Sequence, residues 1–394
     1  MVVETSNSHA VTRVRQAVAP DAEATAWRKT IRICVTGLRG MPDVMGGVES
    51  HCEELLPRIA ALAPELEFEV LARRPYVGSE ARTFRGIRIT PLAAPRRQSS
   101  EALISTLVGA LHARRNRARF LHIHAIGPAL VAPLARLLGL KVVMTHHGAD
   151  YDRAKWGPLA KFMLRLGEKW GIASAEQVIA VSPSLRESLA ARYPARADRI
   201  TYIPNGVPRL DEDGQSSAEF LRSMGLEAGR YILAVGRLVP EKGFDYLIEA
   251  YKRSGTDRKL AIAGASDHET AFSKSILGHA DERVLFLGQQ PRSAIRHLYK
   301  GADLFVLPSF HEGLPISALE AAWCDAPMLL SDIRPNLDLG LPPKNYFPVG
   351  DADALAERLA MPGHTFAIDG AAVRQRFDWD EIAIRTLAVY RQLL

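Results

Sequence analysis

The chain has 394 residues, of which 47% are hydrophobic and 24% charged, and this composition excludes an intrinsically disordered chain and a membrane-embedded body. A single hydrophobic core stops growing near about 250–300 residues, so we expect two domains. The net charge of +6 is uneven, because residues 1–208 carry 29 Lys and Arg against 18 Asp and Glu, whereas residues 209–394 carry 21 against 26.

Residues 1–29 alternate polar and small side chains without the apolar core of a secretory signal, so we expect a flexible arm there and a cytoplasmic protein. The longest apolar stretch, Gly127–Met144, is interrupted by Arg136 and Lys141 and is too short for a transmembrane helix. Short apolar runs then define a first domain over residues 30–208. Its predicted strands are Ile31–Val35, Phe68–Leu71, Ile87–Ile89, Phe120–Ile123, Lys141–Met144, Val178–Val181 and Ile200–Ile203.

A pair of glycines marks the start of the first predicted helix. Gly46 and Gly47 follow the strand Ile31–Val35 and its loop. Residues without side chains let the backbone approach a ligand phosphate, and the helix dipole lies behind them. A lone Gly-Gly pair is more often a simple turn. Pro57, further along, is expected to bend or end this helix.

Four histidines lie on or just after predicted strands of this domain. His147 follows a strand, where its ring can bond a sugar hydroxyl. The pair His146 and His147 would also suit a metal, but no third ligand is near in sequence. His122 and His124 alternate along a strand and are interpreted as packed structural residues.

A polar stretch from residue 208 to 229 separates these elements from a second alternating series, and we place the domain boundary there. The predicted strands of the second domain, residues 209–378, are Tyr231–Val235, Lys259–Ala263, Val284–Leu287, Leu304–Leu307 and Met328–Ser331. Helices are predicted at Phe244–Lys252 and Ile316–Trp323. Residues 379–394 form an amphipathic closing helix that we expect to return to the first domain.

Alternation of continuous apolar strands with helices predicts the α/β class, with two doubly wound, Rossmann-like parallel sheets facing a central cleft. Ligands in such sheets bind beyond the carboxyl ends of the strands. The cleft between the domains is therefore the expected site.

Two segments of the second domain carry charged residues at strand ends. Arg237 and Lys242 lie between a strand and a helix N-terminus, where cations and free amides suit a diphosphate. Glu312 and Glu320 have seven residues between them, the first in a loop and the second on a helix. Carboxylates accept hydrogen bonds from vicinal hydroxyls. Together these segments could hold the parts of a nucleotide sugar, although two acids alone would be an ordinary helix start.

These segments resemble the large retaining glycosyltransferase family four, whose members have the GT-B fold, over roughly residues 31–394. The matching segments are Val181–Pro183, Ile203–Val207, Gly236–Gly243, Asp303–Ser309, Glu312–Pro315, Glu320–Ala322 and Phe377–Trp379. Further segments resemble a subgroup that assembles bacterial surface polysaccharide and exopolysaccharide, some members being rhamnosyltransferases; these are Gly37–Pro42, Gly46–Glu49, His147–Asp150 and Arg153–Trp156.

The resemblance implies that the chain is a retaining transferase that moves a hexosyl or rhamnosyl group from a nucleotide sugar to a saccharide or lipid-linked saccharide. Arg237 and Lys242 would bind the donor diphosphate, with the Gly46–Gly47 turn approaching from the other domain. Similar enzymes retain configuration without a clear protein nucleophile, and the leaving phosphate is thought to help deprotonate the acceptor.

The resemblance also assigns the sugar end of the donor. Glu320 would hold the ribose hydroxyls. Glu312, with the amides of Gly313 and Leu314, would face the donor sugar. His147 would lie next to the transferred sugar.

No cofactor is expected. The three cysteines, Cys34, Cys52 and Cys324, are scattered and indicate neither a disulfide framework nor a zinc site. We find no convincing Asp-x-Asp metal motif, and Arg237 with Lys242 could do a metal's electrostatic work.

The basic first domain leaves its partner open. An excess of positive charge fits nucleic acid, an anionic membrane, a phosphorylated substrate or a merely solvated surface. The basic residues Arg114, Arg115, Arg117 and Arg119 lack interleaved aromatic residues, which disfavours nucleic acid. With the stretch Lys155–Lys169 they suggest docking on the inner face of the cell membrane.

Two alternatives to transfer stay open. A nucleotide-sugar epimerase can have the same GT-B shape and would convert donor without acceptor. A non-enzymatic sensor would bind donor and transfer nothing.

Overall fold

The computed structural model describes residues 30–394 except 45, 96–100, 150, 152–156, 208–209, 211–213, 215, 267–268 and the side chain of residue 292. The predicted N-terminal arm, Asp150 and the segment Arg153–Trp156 lie outside the described residues. No helix in the described part of the chain has both the length and the apolar character needed to cross a membrane.

The described residues of the first domain form a sheet of eight strands. They are β1 Ile31–Thr36, β2 Leu66–Arg73, β3 Arg82–Phe84, β4 Ile87–Leu92, β5 Phe120–His124, β6 Lys141–His146, β7 Gln177–Ala180 and β8 Ile200–Tyr202. Their order is β3-β4-β2-β1-β5-β6-β7-β8, and all pairs are parallel except β3 with β4.

The second domain forms a parallel sheet of six strands in the order β11-β10-β9-β12-β13-β14. They are β9 Tyr231–Val235, β10 Lys259–Ala263, β11 Val284–Gly288, β12 Leu304–Leu307, β13 Met328–Ser331 and β14 Tyr346–Phe347. Every strand expected from the apolar runs is present. The short strands β3 and β14 were not expected, because runs this short carry no recognisable alternation.

Helices connect the strands on both sides of each sheet. They are α1 Gly47–Leu62, α2 Arg74–Val77, α3 Glu101–Arg115, α4 Ala132–Leu137, α5 Pro158–Ser174, α6 Pro183–Arg192, α7 Ser217–Ser223, α8 Phe244–Ser254, α9 Ala271–Leu277, α10 Arg292–Gly301, α11 Ile316–Trp323, α12 Arg334–Leu337, α13 Ala352–Leu359, α14 Gly370–Arg376 and α15 Trp379–Gln392. Single 3₁₀ turns span Pro128–Val131, Pro194–Arg199, Pro240–Lys242, Pro343–Asn345 and Gly363–Phe366. The prediction of two Rossmann-like parallel sheets with the GT-B arrangement is confirmed.

Helix α1 departs from expectation at one point. Its N-cap residue, Gly46, has φ 153°, a value that side chains disfavour and that glycine adopts readily. The helix does not end at Pro57 but continues to Leu62. In the turn that contains Pro57, Arg58 donates hydrogen bonds to Glu54, to its carbonyl oxygen at 2.6 Å and to its carboxylate at 2.8 Å.

The closing helix α15 packs against the first sheet, although it follows the second domain in sequence. Trp379, Ile382 and Leu387 belong to the same buried cluster as Ile33 of β1. Tyr390 contacts the rings of two strand residues, Phe68 and Phe120, each at 5.8 Å between centroids. The end of the chain therefore completes the core of the first domain.

Candidate active site

Two loops of the second sheet bring Lys242 and Glu312 together. Strands β9 and β12 are parallel neighbours, so the loops that follow them leave the same edge of the sheet. Lys242 Nζ donates to Glu312 Oε1 at 2.6 Å, and Ser309 Oγ donates to the same oxygen at 2.6 Å. This pairing places a cation and a carboxylate at the carboxyl end of the sheet, where ligands of such folds bind.

Arg237 lies in the same loop as Lys242 and is half-buried. A side chain at Gly236 would come within 3.4 Å of the Lys242 stem. The small residue therefore leaves room for Lys242 to lie along the loop. The structure places both predicted phosphate-binding cations in one loop.

Glu320 lies on helix α11 and is half-buried. Tyr299 OH donates to Glu320 Oε2 at 3.2 Å. Burial, and then the Glu320 charge, raise the pKa of Tyr299, so its hydroxyl stays protonated and donates. The N-cap residue of this helix is Pro315, which makes no side-chain hydrogen bond to it. The backbone nitrogen of Ala318 donates to the Pro315 carbonyl, and the amides before it face the end of the helix where anions bind.

The first domain contacts this site at two places where glycines lie at the contact. A Cβ atom on Gly313 would lie 1.8 Å from the carbonyl oxygen of His147, and one on Gly148 would lie 3.2 Å from Gly313 Cα. A Cβ on Gly47 would lie 3.5 Å from Cδ1 of Ile316. Predicted site residues of the two domains therefore meet across the cleft, with Gly313 against His147 and Gly47 against the start of helix α11. Leu314, the residue after Gly313, is buried.

The loop before helix α1 has its own support. Glu49 is buried and accepts hydrogen bonds from Arg39, from the backbone nitrogen at 2.9 Å and from Nε at 3.2 Å. A Cβ atom on Gly46 would lie 2.0 Å from Glu49 Oε2. The φ of Gly46 favours glycine at this position, and a larger residue would also displace the Glu49 carboxylate.

A buried carboxylate, Glu168, holds the loop that carries His147, and sequence reasoning missed it. His146 Nε2 donates to Glu168 Oε2 at 3.0 Å, and Gly148 N donates to His146 Nδ1 at 3.2 Å. Burial alone would raise the pKa of Glu168, but hydrogen bonds from His146, Arg192 and Tyr193 lower it to about 2. In the sequence Glu168 is only an acidic residue within an amphipathic helix. The donors of its hydrogen bonds are distant in sequence, so no local pattern identifies it.

Histidines surround the base of the His147 loop. His122 and His124 are fully buried on β5; His122 contacts Tyr390 OH at 2.6 Å and Thr145 Oγ1 at 2.7 Å. Burial, and then neighbouring histidines, lower the pKa of His124 and of His147. The rings are therefore neutral at neutral pH. His51, which the sequence did not single out, also lies in this cluster.

Family models match both halves of the chain. A model described as "Glycosyltransferase Family 4" matches residues 45–209, and one described as "Glycosyl transferases group 1" matches residues 219–361. Alpha-maltose-1-phosphate synthase of Mycolicibacterium smegmatis is 28% identical over 398 residues, which cover 89% of this chain and 97% of that protein.

Two solved structures share the fold. Sucrose-phosphate synthase of Thermosynechococcus elongatus superposes with a TM-score of 0.76 at 22% identity, covering 92% of this chain and 99% of the other. Anabaena HepE in complex with UDP-glucose superposes with a TM-score of 0.72 at 18% identity, covering 92% and 100%.

Proposed function

Because this chain belongs to glycosyltransferase family four and has its GT-B fold, we propose that it retains the anomeric configuration of the sugar it transfers from a nucleoside diphosphate sugar. The acceptor is a saccharide or a lipid-linked saccharide in bacterial surface or exopolysaccharide synthesis. The donor lies between the Lys242 loop, helix α11 and the His147 loop. The epimerase alternative has no support among the matching families and relatives.

One observation carries the donor proposal. Lys242 Nζ and Glu312 Oε1 are 2.6 Å apart, and the residue after Glu312 is packed on the backbone of His147. A phosphate-binding cation, a hydroxyl-binding carboxylate and a histidine from the opposite domain thus share one edge of the cleft. This is the combination of groups that a nucleotide sugar requires at its diphosphate and sugar ends.

Stabilisation of the leaving diphosphate of the donor provides the larger part of the rate enhancement. Negative charge builds on the departing diphosphate, and Lys242 with Arg237 stabilises that charge from fixed positions. The free amides at the starts of α1 and α11 add to the same field. Transfer therefore needs no divalent metal at the diphosphate.

Around the sugar of the donor, the protein groups form hydrogen bonds and carry no positive charge. Glu312 and the amides of Gly313 and Leu314 contact the sugar hydroxyls, while Glu320 holds the ribose. His147 is neutral because burial lowers its pKa. A neutral ring does not oppose the positive charge that develops on the anomeric carbon in the transition state, whereas an imidazolium would.

A donor screen tests the central claim. Nucleoside diphosphates and their sugars are added to the full chain, and the melting temperature is measured. A ligand at about 100 times its dissociation constant stabilises the fold by about 2.7 kcal/mol. We expect one base to be favoured and its shift to be reduced in Lys242→Ala. If no nucleotide or nucleotide sugar raises the melting temperature, the proposal fails.

Retention of the anomeric configuration is tested in a second experiment, which uses the donor found in this screen. The anomeric configuration of the product is read by NMR from the coupling of its anomeric proton. We expect the configuration of the donor, whereas an inverted product would contradict the assigned mechanism. Isomerised donor in a reaction without acceptor would instead point to an epimerase.

Exposed apolar side chains on two helices support docking of the first domain on a membrane that carries the acceptor. Helix α5 exposes Leu159 (75%), Phe162 (61%) and Trp170. Helix α3 exposes Leu103, Ile104, Leu107 and Leu111 on one face. Helix α4 contacts both helices, so the two helices lie close together on the first domain.

Basic side chains flank these faces, as a membrane surface with anionic lipids would require. Arg114, Arg115, Arg117 and Arg119 at the end of α3, and Arg165 and Lys169 on α5, are all exposed. Each basic residue near such a surface contributes about 1 kcal/mol. The apolar faces would insert among the lipid headgroups.

Vesicle sedimentation tests this docking. We expect binding to vesicles that contain anionic lipid, weaker binding at high salt, and loss of binding in the double variant Leu159→Ser with Phe162→Ser. Leu277→Ser, an exposed apolar position of the second domain, is the matched control. Binding that is indifferent to lipid charge and salt would overturn the proposal.

A further inference from the structure

Three histidines from separate elements of the first domain meet at the floor of the cleft. His51 lies on α1, His124 ends β5 and His147 follows β6. One ring nitrogen of each lies within 4.8 Å of the others, and His124 Nδ1 is 3.0 Å from His147 Nε2. We propose that these three residues bind a divalent transition-metal ion of the zinc class and leave its fourth coordination position open.

The orientation of His51 is the strongest support for this site. Its Nδ1 contacts Asn205 Oδ1 at 2.8 Å; a carbonyl oxygen only accepts, so Nδ1 carries the proton and Nε2 has a bare lone pair. Nε2 is buried and receives no hydrogen bond from the described residues, and His51 is only 3% exposed. A buried acceptor without a donor is costly, and a metal ion would satisfy it.

The spacing of the rings suits coordination. Zinc binds imidazole nitrogens at about 2.0–2.1 Å in a tetrahedral arrangement, which places two such nitrogens roughly 3.3 Å apart. The His124 and His147 nitrogens already lie at 3.0 Å. The third nitrogen needs a small inward shift. On binding, the ion takes the place of the proton between His124 and His147. Each neutral ring keeps one proton, so that proton moves to the other nitrogen of the ring that carried it, and no net proton is released.

Two neighbours act as outer-shell partners of the kind that metal-binding histidines require. Asn205 accepts from His51, as described above. Cys52 Sγ lies 3.6 Å from His124 Nε2, so that nitrogen can donate to sulfur while Nδ1 coordinates. Cys52 is itself buried and lies nearer to the Nε2 atom of His124 than to the Nδ1 atom that would coordinate.

Sequence separation explains why such a site was not expected. The pair His146 and His147 suggested a metal, but no third ligand lay nearby in the sequence. In the structure His146 bonds Glu168 instead, and the two partners of His147 come from α1 and β5. The site is separate from the cations assigned to the diphosphate. It does not depend on the donor being a nucleotide sugar. Because it shares His147 with the proposed sugar site, a bound ion and a donor sugar would compete for this ring.

Metal binding to the full chain, after treatment with a chelator and dialysis, tests the proposal. Co²⁺ is titrated first, and its visible absorption reports a four-coordinate nitrogen site; Zn²⁺ is then added in competition. We expect one ion per chain. His51→Ala should weaken binding by at least roughly 100-fold, and Asn205→Ala by about 10–100-fold, the usual cost of losing an outer-shell partner. His279→Ala, an exposed histidine of the second domain, should bind as the wild type does.

The melting temperature of each metal-free variant shows whether it is folded. His147 is only half-buried, so His147→Ala carries the test if the variants of buried histidines do not fold. Absence of Co²⁺ absorption and of stoichiometric Zn²⁺ binding overturns the proposal. Binding that persists unchanged in both His51→Ala and His147→Ala overturns it equally.

Discussion

At the scale of single residues, Lys242 and Glu312 form a partly buried ion pair whose side chains keep 16% and 10% of their surface exposed. In this pair the two charges offset each other. A diphosphate would compete for Lys242 and free Glu312 to accept hydrogen bonds from the sugar. Ser309, which also donates to Glu312, keeps the carboxylate in place during this exchange.

Lys242→Ala is therefore expected to lower kcat/KM by about 10²–10³-fold, since it removes a fixed charge that stabilises the leaving diphosphate. The melting temperature should fall by only about 2–4 °C, because Glu312 keeps the Ser309 hydrogen bond. Steady-state kinetics and thermal unfolding measure the two effects. Lys252→Ala, on the same domain, is the matched control. Near-normal turnover in Lys242→Ala would remove the assigned role.

Glu168 gives the molecule a specific pH dependence. Its pKa is about 2 in the folded chain against about 4.3 in an unfolded one, so the unfolded state binds the proton more readily. The stabilisation is complete above the unfolded pKa and is lost as the pH falls through the folded one.

We expect the free energy of unfolding to decrease from about pH 4.5 towards pH 2, and this decrease to be smaller in Glu168→Gln. At pH 7 the variant should be less stable, because its amide cannot accept all of the hydrogen bonds made to the carboxylate. Urea unfolding at a series of pH values measures both. Glu249→Gln, at an exposed surface position, is the control. Identical pH profiles for Glu168→Gln and the wild type would contradict the assignment.

At the scale of elements, the cleft is built from loops that follow parallel strands. The loops after β9 and β12 leave neighbouring strand ends, and the loop after β6 meets them from the other sheet. Their close contact requires glycine, because a Cβ atom on Gly313 would lie 1.8 Å from the His147 carbonyl oxygen. Backbone atoms on both sides leave no flexible side chain to move aside.

Gly313→Ala is expected to force the two loops apart. We expect a loss of about 1–3 kcal/mol in stability, as for other overpacked sites, and at least roughly a tenfold loss of activity from the displaced sugar site. Gly157→Ala is the control, since a Cβ atom there has nothing within 4 Å. Equal melting temperatures and equal turnover in the two variants would show that the close contact is unimportant.

At the scale of the whole molecule, the last helix joins the two domains into one unit. Helix α15 follows the second domain and buries its apolar side in the first. Tyr390 lies between Phe68 and Phe120, and its hydroxyl contacts His122. The first domain therefore depends for its core on residues that are last in the chain.

Deletion of residues 379–394 is expected to destabilise the first domain more than the second, because it uncovers Phe68 and Phe120. Hydrogen exchange should accelerate in β1, β2 and α1 and change less in β9 and β12. The milder variant Tyr390→Phe keeps the ring but leaves His122 without this partner, at a cost of about 1–3 kcal/mol. Equal acceleration of hydrogen exchange in both sheets would contradict the expectation that the deletion destabilises mainly the first domain.

Local patterns in the sequence determined much of the fold. The apolar strands, the helices predicted at Ile316–Trp323 and Phe244–Lys252, and the presence of two parallel sheets follow from periodicities within short windows. The charged loops were found because their residues lie beside strand ends, and the strands of a parallel sheet end at one edge. The resemblance to a known family added their roles, which stay predictions.

Only the tertiary structure decided the contacts between residues distant in sequence. Glu168 beneath the His147 loop, His51 beside His124, and Tyr390 against His122 join elements far apart along the chain. The continuation of α1 through Pro57 likewise depends on its packed surroundings and not on the proline alone. Periodicity reports which face of an element is buried, but which partner covers that face is decided by how all the elements pack together.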